Sequence, residues 1–126
     1  MNILVVDDVL LNRAMLASQL RRMQFNVMEA ADGFLAAAAY KSHRYHLVLM
    51  DCQMPRMDGY QATQLIRQHE ALAGLPRVPI VAVTADSAPD ARERCMASGM
   101  DDFLTKPLSG SALCNCLKTW LPMPPA

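Results

Sequence analysis

Aromatic residues make up only 6% of the chain, with a single tryptophan. The core must therefore be built from Val, Leu, Ile, Ala and Met, and ten methionines supply flexible filler. Charge of one sign is not in excess: twelve Lys and Arg balance twelve Asp and Glu. That balance argues against a general nucleic-acid binder, which carries a basic surplus. It equally argues against a polybasic membrane-surface protein. No apolar run approaches the ~20 residues needed to span a bilayer. The opening Met1-Asn2-Ile3-Leu4-Val5-Val6 has no basic segment, apolar core and cleavage site, so no secretory signal is expected. Cysteine is sparse and unpatterned. Cys52, Cys95, Cys114 and Cys116 show no zinc spacing and Cys114 and Cys116 have no nearby His, so reduced thiols in a cytoplasmic setting are expected. At 126 residues there is room for one domain, expected over 1–121, with a Pro-rich tail or linker remnant at 122–126.

What is present is an alternation of short apolar runs and longer amphipathic stretches. Ile3 to Val6, Phe25 to Glu29, His46 to Met50, Pro79 to Val83 and Asp102 to Thr105 read as strands. Between them, Leu10 to Met23, Gly33 to Lys41 (capped by Asp32) and Tyr60 to about Ala71 read as helices. Ser87-Ala88-Pro89-Asp90 carries start signals for a helix ending at Ser98, with Gly99 as its C-cap. Ser109 or Ser111 opens the last helix, which bears Leu113, Cys116, Leu117 and Trp120. Five strands alternating with five helices predict a parallel sheet covered on both faces, a three-layer α/β domain. In such sheets ligands sit beyond the carboxyl ends of the strands.

Those ends carry the chemistry. Nine of the twelve acids are Asp, a residue that favours caps, turns and ion sites over helix interiors. The first strand ends in Asp7 and Asp8, the third in Asp51, the fourth in Thr84 and the fifth in Lys106. Taken singly each has an ordinary explanation: Asp8 as a helix cap, Thr84 as a turn residue, Lys106 as a solvated cation. Taken together they bring three carboxylates, a hydroxyl and an ammonium to one edge. Clustered carboxylates repel unless a cation neutralises them. An all-oxygen donor set suits Mg²⁺ or Mn²⁺. An ionised Asp51 beside such a cation, with Lys106 and Thr84 placed to bind phosphoryl oxygens, points to phosphoryl transfer onto Asp51.

Val6-Asp7-Asp8, Leu49-Met50-Asp51-Cys52-Gln53-Met54-Pro55-Arg56-Met57-Asp58-Gly59, Val83-Thr84-Ala85 and Thr105-Lys106-Pro107 together resemble the receiver domain of two-component response regulators. The resemblance covers essentially residues 2–121. It implies a flavodoxin-like fold with strand order 2-1-3-4-5. It makes Asp51 the phosphoacceptor, Asp7 and Asp8 the acidic pair of the Mg²⁺ site, and Gln53 a metal ligand through its backbone carbonyl. It also makes Thr84 the switch hydroxyl, Lys106 the phosphate-binding lysine and Phe103 the aromatic switch residue. Gln53 and Asp86 match the variable positions flanking the site. Cys52 reads as packing, as do Met54 and Met57.

The run from Asp51 through Thr63, with Leu11-Asn12-Arg13, is most similar to receivers fused to hybrid sensor histidine kinases. The resemblance implies a partner histidine kinase or histidine phosphotransfer domain. It implies no nucleic-acid or membrane contact by this domain and no kinase domain in this chain. It places the chain in the cytoplasm, or in the cytoplasmic portion of a membrane-bound kinase. The surface of the fourth helix, fifth strand and fifth helix, with Arg92, Arg94 and Lys118, would be the output or homodimer face. The competing reading is an unphosphorylated pseudo-receiver serving as an interaction module. It would be favoured by loss of an acidic-pair residue, Asp51 or Lys106, and all are present. A phosphohydrolase would want an Asp where Gln53 stands, and Val9-Leu10-Leu11 offers no flavin phosphate loop.

Overall fold

The structure, a computed structural model, describes residues 1–85 and 89–121. In chain order the elements are β1 (Asn2–Val6), α1 (Leu10–Arg22), β2 (Asn26–Ala30), α2 (Gly33–Ser42), β3 (Leu47–Asp51), α3 (Gly59–Ala73), β4 (Ile80–Thr84), α4 (Ala91–Ser98), β5 (Asp102–Thr105) and α5 (Gly110–Trp120). All strand pairings are parallel and the sheet order is β2-β1-β3-β4-β5. The expected five-stranded α/β fold is therefore the fold observed.

The central strands are apolar on both faces because both faces are covered. Side chains alternate along each strand, so one strand feeds two cores. Leu4, Val6, Val48, Met50, Ile80 and Ala82 pack against Ala36 and Tyr40 of α2, Ala62 and Ile66 of α3, and Cys95 of α4. Ile3, Val5, Leu47, Leu49, Val81 and Val83 pack on the opposite face against Ala17 and Leu20 of α1 and Leu113, Cys116 and Leu117 of α5. Each fully buried aliphatic side chain contributes roughly 1.5–3 kcal/mol, which makes these two layers the main source of stability.

Several boundaries differ from the sequence expectation, each for a local reason. β3 runs one residue further, to Asp51, and β4 to Thr84, so both candidate site residues belong to the strands themselves. β2 shifts to Asn26–Ala30 because Phe25 is held by Leu20 O at the end of α1. α3 begins at Gly59, where Asp58 and Gln61 form a reciprocal capping box, and extends to Ala73 with Gly74 in the left-handed region. Asp8 does not cap α1: the N-cap is Val9, with no side-chain cap bond. Asp90 is the N-cap of α4, also without a side-chain bond, while Ser87 and Ala88 of the expected start signal lie outside the described residues. Ser109 caps α5 through Ala112 N at 3.1 Å, which settles the choice against Ser111. Asp32 and Gly99 take their expected roles. The Pro-rich tail 122–126 lies outside the described residues.

One polar network was not legible in the periodicity. Glu70, buried in α3, accepts from Tyr40 Oη and Val78 N, both at 2.7 Å, and from Arg67 at 2.8 Å. Arg67 also reaches Asp101, whose other oxygen holds Arg77, and Asp101 accepts from Ile80 N. The network ties α2, α3 and the start of β4 to the turn before β5. Replacing Glu70 by Ala strands a buried hydroxyl, a backbone N–H and a guanidinium together. Glu70→Ala is expected to lower unfolding free energy by roughly 3–5 kcal/mol, read by urea denaturation; a loss below about 1 kcal/mol would show that water replaces the carboxylate.

Candidate functional site

Parallel pairing brings the carboxyl ends of β1, β3, β4 and β5 to one edge, and the expected residues converge there. One carboxylate oxygen from each of Asp7, Asp8 and Asp51 lies within 4.8 Å of the others. Asp7 and Asp51 are buried and Asp8 is exposed, so the cluster has a closed side and a solvent side. Lys106 Nζ stands 2.9 Å from Asp7 Oδ2 and 3.4 Å from Asp51 Oδ2. Thr84 is fully buried at the end of β4. Its carbonyl accepts from Lys106 N at 2.8 Å, which fixes the start of the lysine side chain beside the carboxylates.

The supporting contacts show how the local chain produces this arrangement. Asp7 Oδ1 accepts from Val9 N at 2.9 Å and turns the chain into α1. Arg13 Nη1 donates to Asp7 O at 2.9 Å and holds that turn from the next helical turn. Gln53 N donates to Asp51 Oδ1 at 3.2 Å. Gly59 N donates to Cys52 O, and a Cβ at Gly59 would come within 2.2 Å of Asp51 O. Glycine is required there because α3 must start against the backbone of β3. The Asp58-Gly59 pair signalled the turn, but its close approach to Asp51 has no sequence signature. Arg13 was likewise missed, since a lone helical Arg looks solvated.

The environment polarises the site. Burial is the largest influence on the Asp51 carboxyl, with the Asp7 charge adding to it; the Gln53 N–H and Lys106 pull the other way, and the net result is a pKa raised to about 6. Burial alone would lower the Lys106 pKa, but its hydrogen bond to Asp7 and the Asp51 charge outweigh that and raise it. Lys106 is thus held as a cation. An all-oxygen cluster with one exposed member fits a hard divalent ion that keeps part of its water shell. Phe103 is half-buried against the core face shared by α2, α3 and α4. Cys52 is buried on the same core face with its Sγ 3.7 Å from Cys95 Sγ, and Met54 and Met57 pack beside it, as expected of packing residues. All four cysteines are free. Arg92, Arg94 and Lys118 are exposed, and Asp86 lies outside the described residues.

The family profile of the response regulator receiver domain matches residues 3–118. The chain belongs to that family, the receiver domains of two-component systems. It is 40% identical over 118 residues to the sensor protein GacS of Pseudomonas syringae, covering 94% of this chain and 13% of that protein. It is 42% identical over 120 residues to the sensor histidine kinase RcsC of Salmonella typhi, covering 95% of this chain and 12% of that protein. The chain thus spans about an eighth of the length of these curated relatives. Among solved structures, it matches the receiver domain of sensor histidine kinase PA1611 from Pseudomonas aeruginosa, which has a magnesium ion coordinated in its active-site cleft. That match has a TM-score of 0.84 and 39% identity, over 94% of this chain and 95% of the other. It also matches the co-crystal structure of the Saccharomyces cerevisiae phosphotransfer protein Ypd1 with the receiver domain of Ssk1, with a TM-score of 0.90 and 33% identity, over 95% of this chain and 88% of the other. Among the described residues, no helix is long and apolar enough to cross a membrane.

The raised Asp51 pKa has a thermodynamic consequence. A carboxyl that holds its proton more tightly when folded favours folding at low pH, and that benefit is lost as pH rises through the folded value near 6. Without metal, the stability of the wild type relative to Asp51→Asn is therefore expected to fall between pH 5 and 7.5, by on the order of 1 kcal/mol. Chemical denaturation of both proteins in chelator measures it; parallel pH profiles would contradict the electrostatic picture.

Proposed function

We propose that this domain is a phosphoacceptor that takes a phosphoryl group from phosphohistidine onto Asp51. The observation that carries the reading is the convergence of Asp7, Asp8 and Asp51, with the Lys106 ammonium against Asp7 and Asp51. A carboxylate oxygen of Asp51 attacks the phosphorus, the P–N bond to the imidazole breaks, and the imidazole leaves as the neutral ring after taking up a proton. Lys106 and the Thr84 hydroxyl bind phosphoryl oxygens. Asp8, Asp51 and the Gln53 carbonyl would hold Mg²⁺, with Asp7 contributing through water and through its grip on Lys106. When bound, the ion supplies charge neutralisation among the carboxylates and on the transferring group. The magnesium-bound PA1611 receiver supports this reading. Each residue whose loss would mark a pseudo-receiver is in place and oriented into one cluster, so nothing favours that alternative.

As a phosphoprotein, the domain would relay the group or change its surface. Thr84 moving toward the phosphoryl oxygens would free space at Phe103, and the face carrying Arg92, Arg94 and Lys118 would respond as output or homodimer surface. Asp51→Asn is expected to abolish phosphorylation and keep the fold, and chelation of Mg²⁺ is expected to stop transfer without unfolding. Stoichiometric acid-labile phosphate on the variant would place the acceptor elsewhere.

The donor would approach over α1. Val9, Leu10, Leu11 and Met15 expose between 46% and 67% of their surface there. A groove of about 450 Å³ lies between α1 and the Lys106-Pro107-Leu108 segment and reaches Asp7. That apolar face beside the acceptor suits a helical histidine phosphotransfer domain, and the Ypd1 complex supports the class of partner. Leu11→Arg is expected to slow phosphotransfer from such a domain at least tenfold while leaving phosphorylation by acetyl phosphate unchanged. Equal slowing with both donors would point to damage at Asp51 instead.

A further inference from the structure

The opposite end of the sheet carries a second site of contrary charge. A cleft of about 490 Å³ opens between the α2–β3 and α3–β4 connections, at the amino ends of β1, β3 and β4. That is within the range of small-molecule pockets, roughly 300–1,000 Å³. Lys41, Arg44 and Arg77 line it together with His43, His46 and His69, which are all the histidines of the chain. No Asp or Glu is among its lining residues. Asp101 pairs with Arg77 and Glu70 lies behind the wall, so the exposed positive charge of the cleft is chiefly that of Lys41 and Arg44.

The walls are fixed. Asn2 N donates to His46 Nδ1 at 3.0 Å, Asn2 Nδ2 donates to Arg44 O at 3.0 Å, and His46 N donates to Asn2 O at 2.8 Å. Because Nδ1 of His46 accepts, its Nε2 is left as the donor in the neutral ring. On the other wall Arg77 is anchored by Asp101 and Gly99 O, and Val78 N is anchored by Glu70. Lys41 and Arg44 have no ion pair among the described residues. Tyr45 forms part of the wall, and its buried hydroxyl has no hydrogen-bond partner among the described residues. His43 and His69 add rings that pack against Tyr45 and Tyr40. Preorganised donors, unspent cations and ring edges in one cleft suit a phosphorylated ligand with a planar base.

We infer that this cleft binds a nucleotide, with Lys41, Arg44 and Arg77 on its phosphates and the His43 and His69 rings beside the base. The site is separate from Asp51: His46 precedes β3 and Asp51 ends it. It does not depend on the phosphoacceptor reading.

The test is an NMR titration of the whole chain with ATP, and in parallel with sodium pyrophosphate, both in chelator so that no metal bridges the ligand to the acidic cluster. Saturable shifts centred on residues 41–46 and Arg77 are expected, with a Kd below about 1 mM and tighter binding of ATP than of pyrophosphate. The double variant K41Q/R44Q is expected to weaken ATP at least tenfold, while R21Q/R22Q on α1 leaves it unchanged. An amide spectrum of K41Q/R44Q that matches the wild type away from residues 41–46 establishes that the variant is folded. Non-saturating shifts spread over every cationic surface, equal loss in both double variants, or equal affinity for ATP and pyrophosphate would overturn the nucleotide assignment. So would saturable binding of an acidic peptide with none of ATP, which would make the cleft a protein contact.

Discussion

Mutual repulsion among three carboxylates at the strand ends is the constraint around which this domain is arranged. Asp7 and Asp51 are buried within 4.8 Å of Asp8, a placement that two charges alone would resist by several kcal/mol in a partly buried setting. The fold holds them there with rigid backbone: the acids end or directly follow strands of one sheet, and each strand is clamped by two apolar layers. Lys106 relieves part of the repulsion from a fifth strand at the edge of the sheet. Burial first, and the Asp7 charge after it, still leave the Asp51 pKa raised. An acidic site that is unfavourable when empty is one that responds strongly to a cation or to a change of charge on Asp51, and this connects the electrostatics to the proposed function.

The same reasoning explains why small backbone details surround the site. A shift of an ångström in Asp51 relative to Lys106 would change their attraction by about 1 kcal/mol, as much as a good surface ion pair is worth. Gly59 lets α3 begin against the Asp51 carbonyl, Arg13 pins the carbonyl of Asp7, and Lys106 N is bonded to Thr84 O. None of these groups needs to touch a ligand to matter, because they fix the carboxylates and the ammonium that form the site.

Most of the fold and the site's membership could be read from the chain because both rest on strong local signals. Val5-Val6-Asp7-Asp8 and Leu49-Met50-Asp51 are apolar runs stopped by acids, which marks a buried strand and its carboxyl end at once. Boundaries moved by a residue or more where tertiary contacts overrode local preference, as at Phe25, which a turn bond to Leu20 O keeps out of β2. Asp8 resembled a cap because strand-helix turns usually need one, yet Asp7 supplies the bond to Val9 N instead. The Glu70–Arg67–Asp101 network and the basic cleft escaped because their members come from distant segments. Glu70 and Arg67 sit three apart on a helix and look like a surface pair; only packing of α2 and the turn before β5 over them buries the carboxylate.

The two ends of the sheet are also divided in charge, and the division follows from topology. In a parallel sheet every strand delivers its carboxyl end to one edge and its amino end to the other, so a chain can gather acids at one edge and bases at the other while staying neutral. Here the acids Asp7, Asp8 and Asp51 face one way, and Lys41, Arg44 and Arg77 line the far cleft. The Glu70 network lies beneath that cleft, joining α2 and α3 to the turn that starts β5. β5 in turn runs from Asp102, through Phe103, to Thr105 beside Lys106. Asp102 itself accepts from Trp120 Nε1 at 2.9 Å and stands 3.7 Å from Arg92, so the start of β5 touches both α4 and α5. Any displacement of Lys106 by a new charge on Asp51 is therefore felt by a strand that is anchored at its other end to the basic cleft's floor. A physical connection between the two edges exists in contiguous bonded groups, and whether it carries free energy depends on those groups having two arrangements of comparable stability.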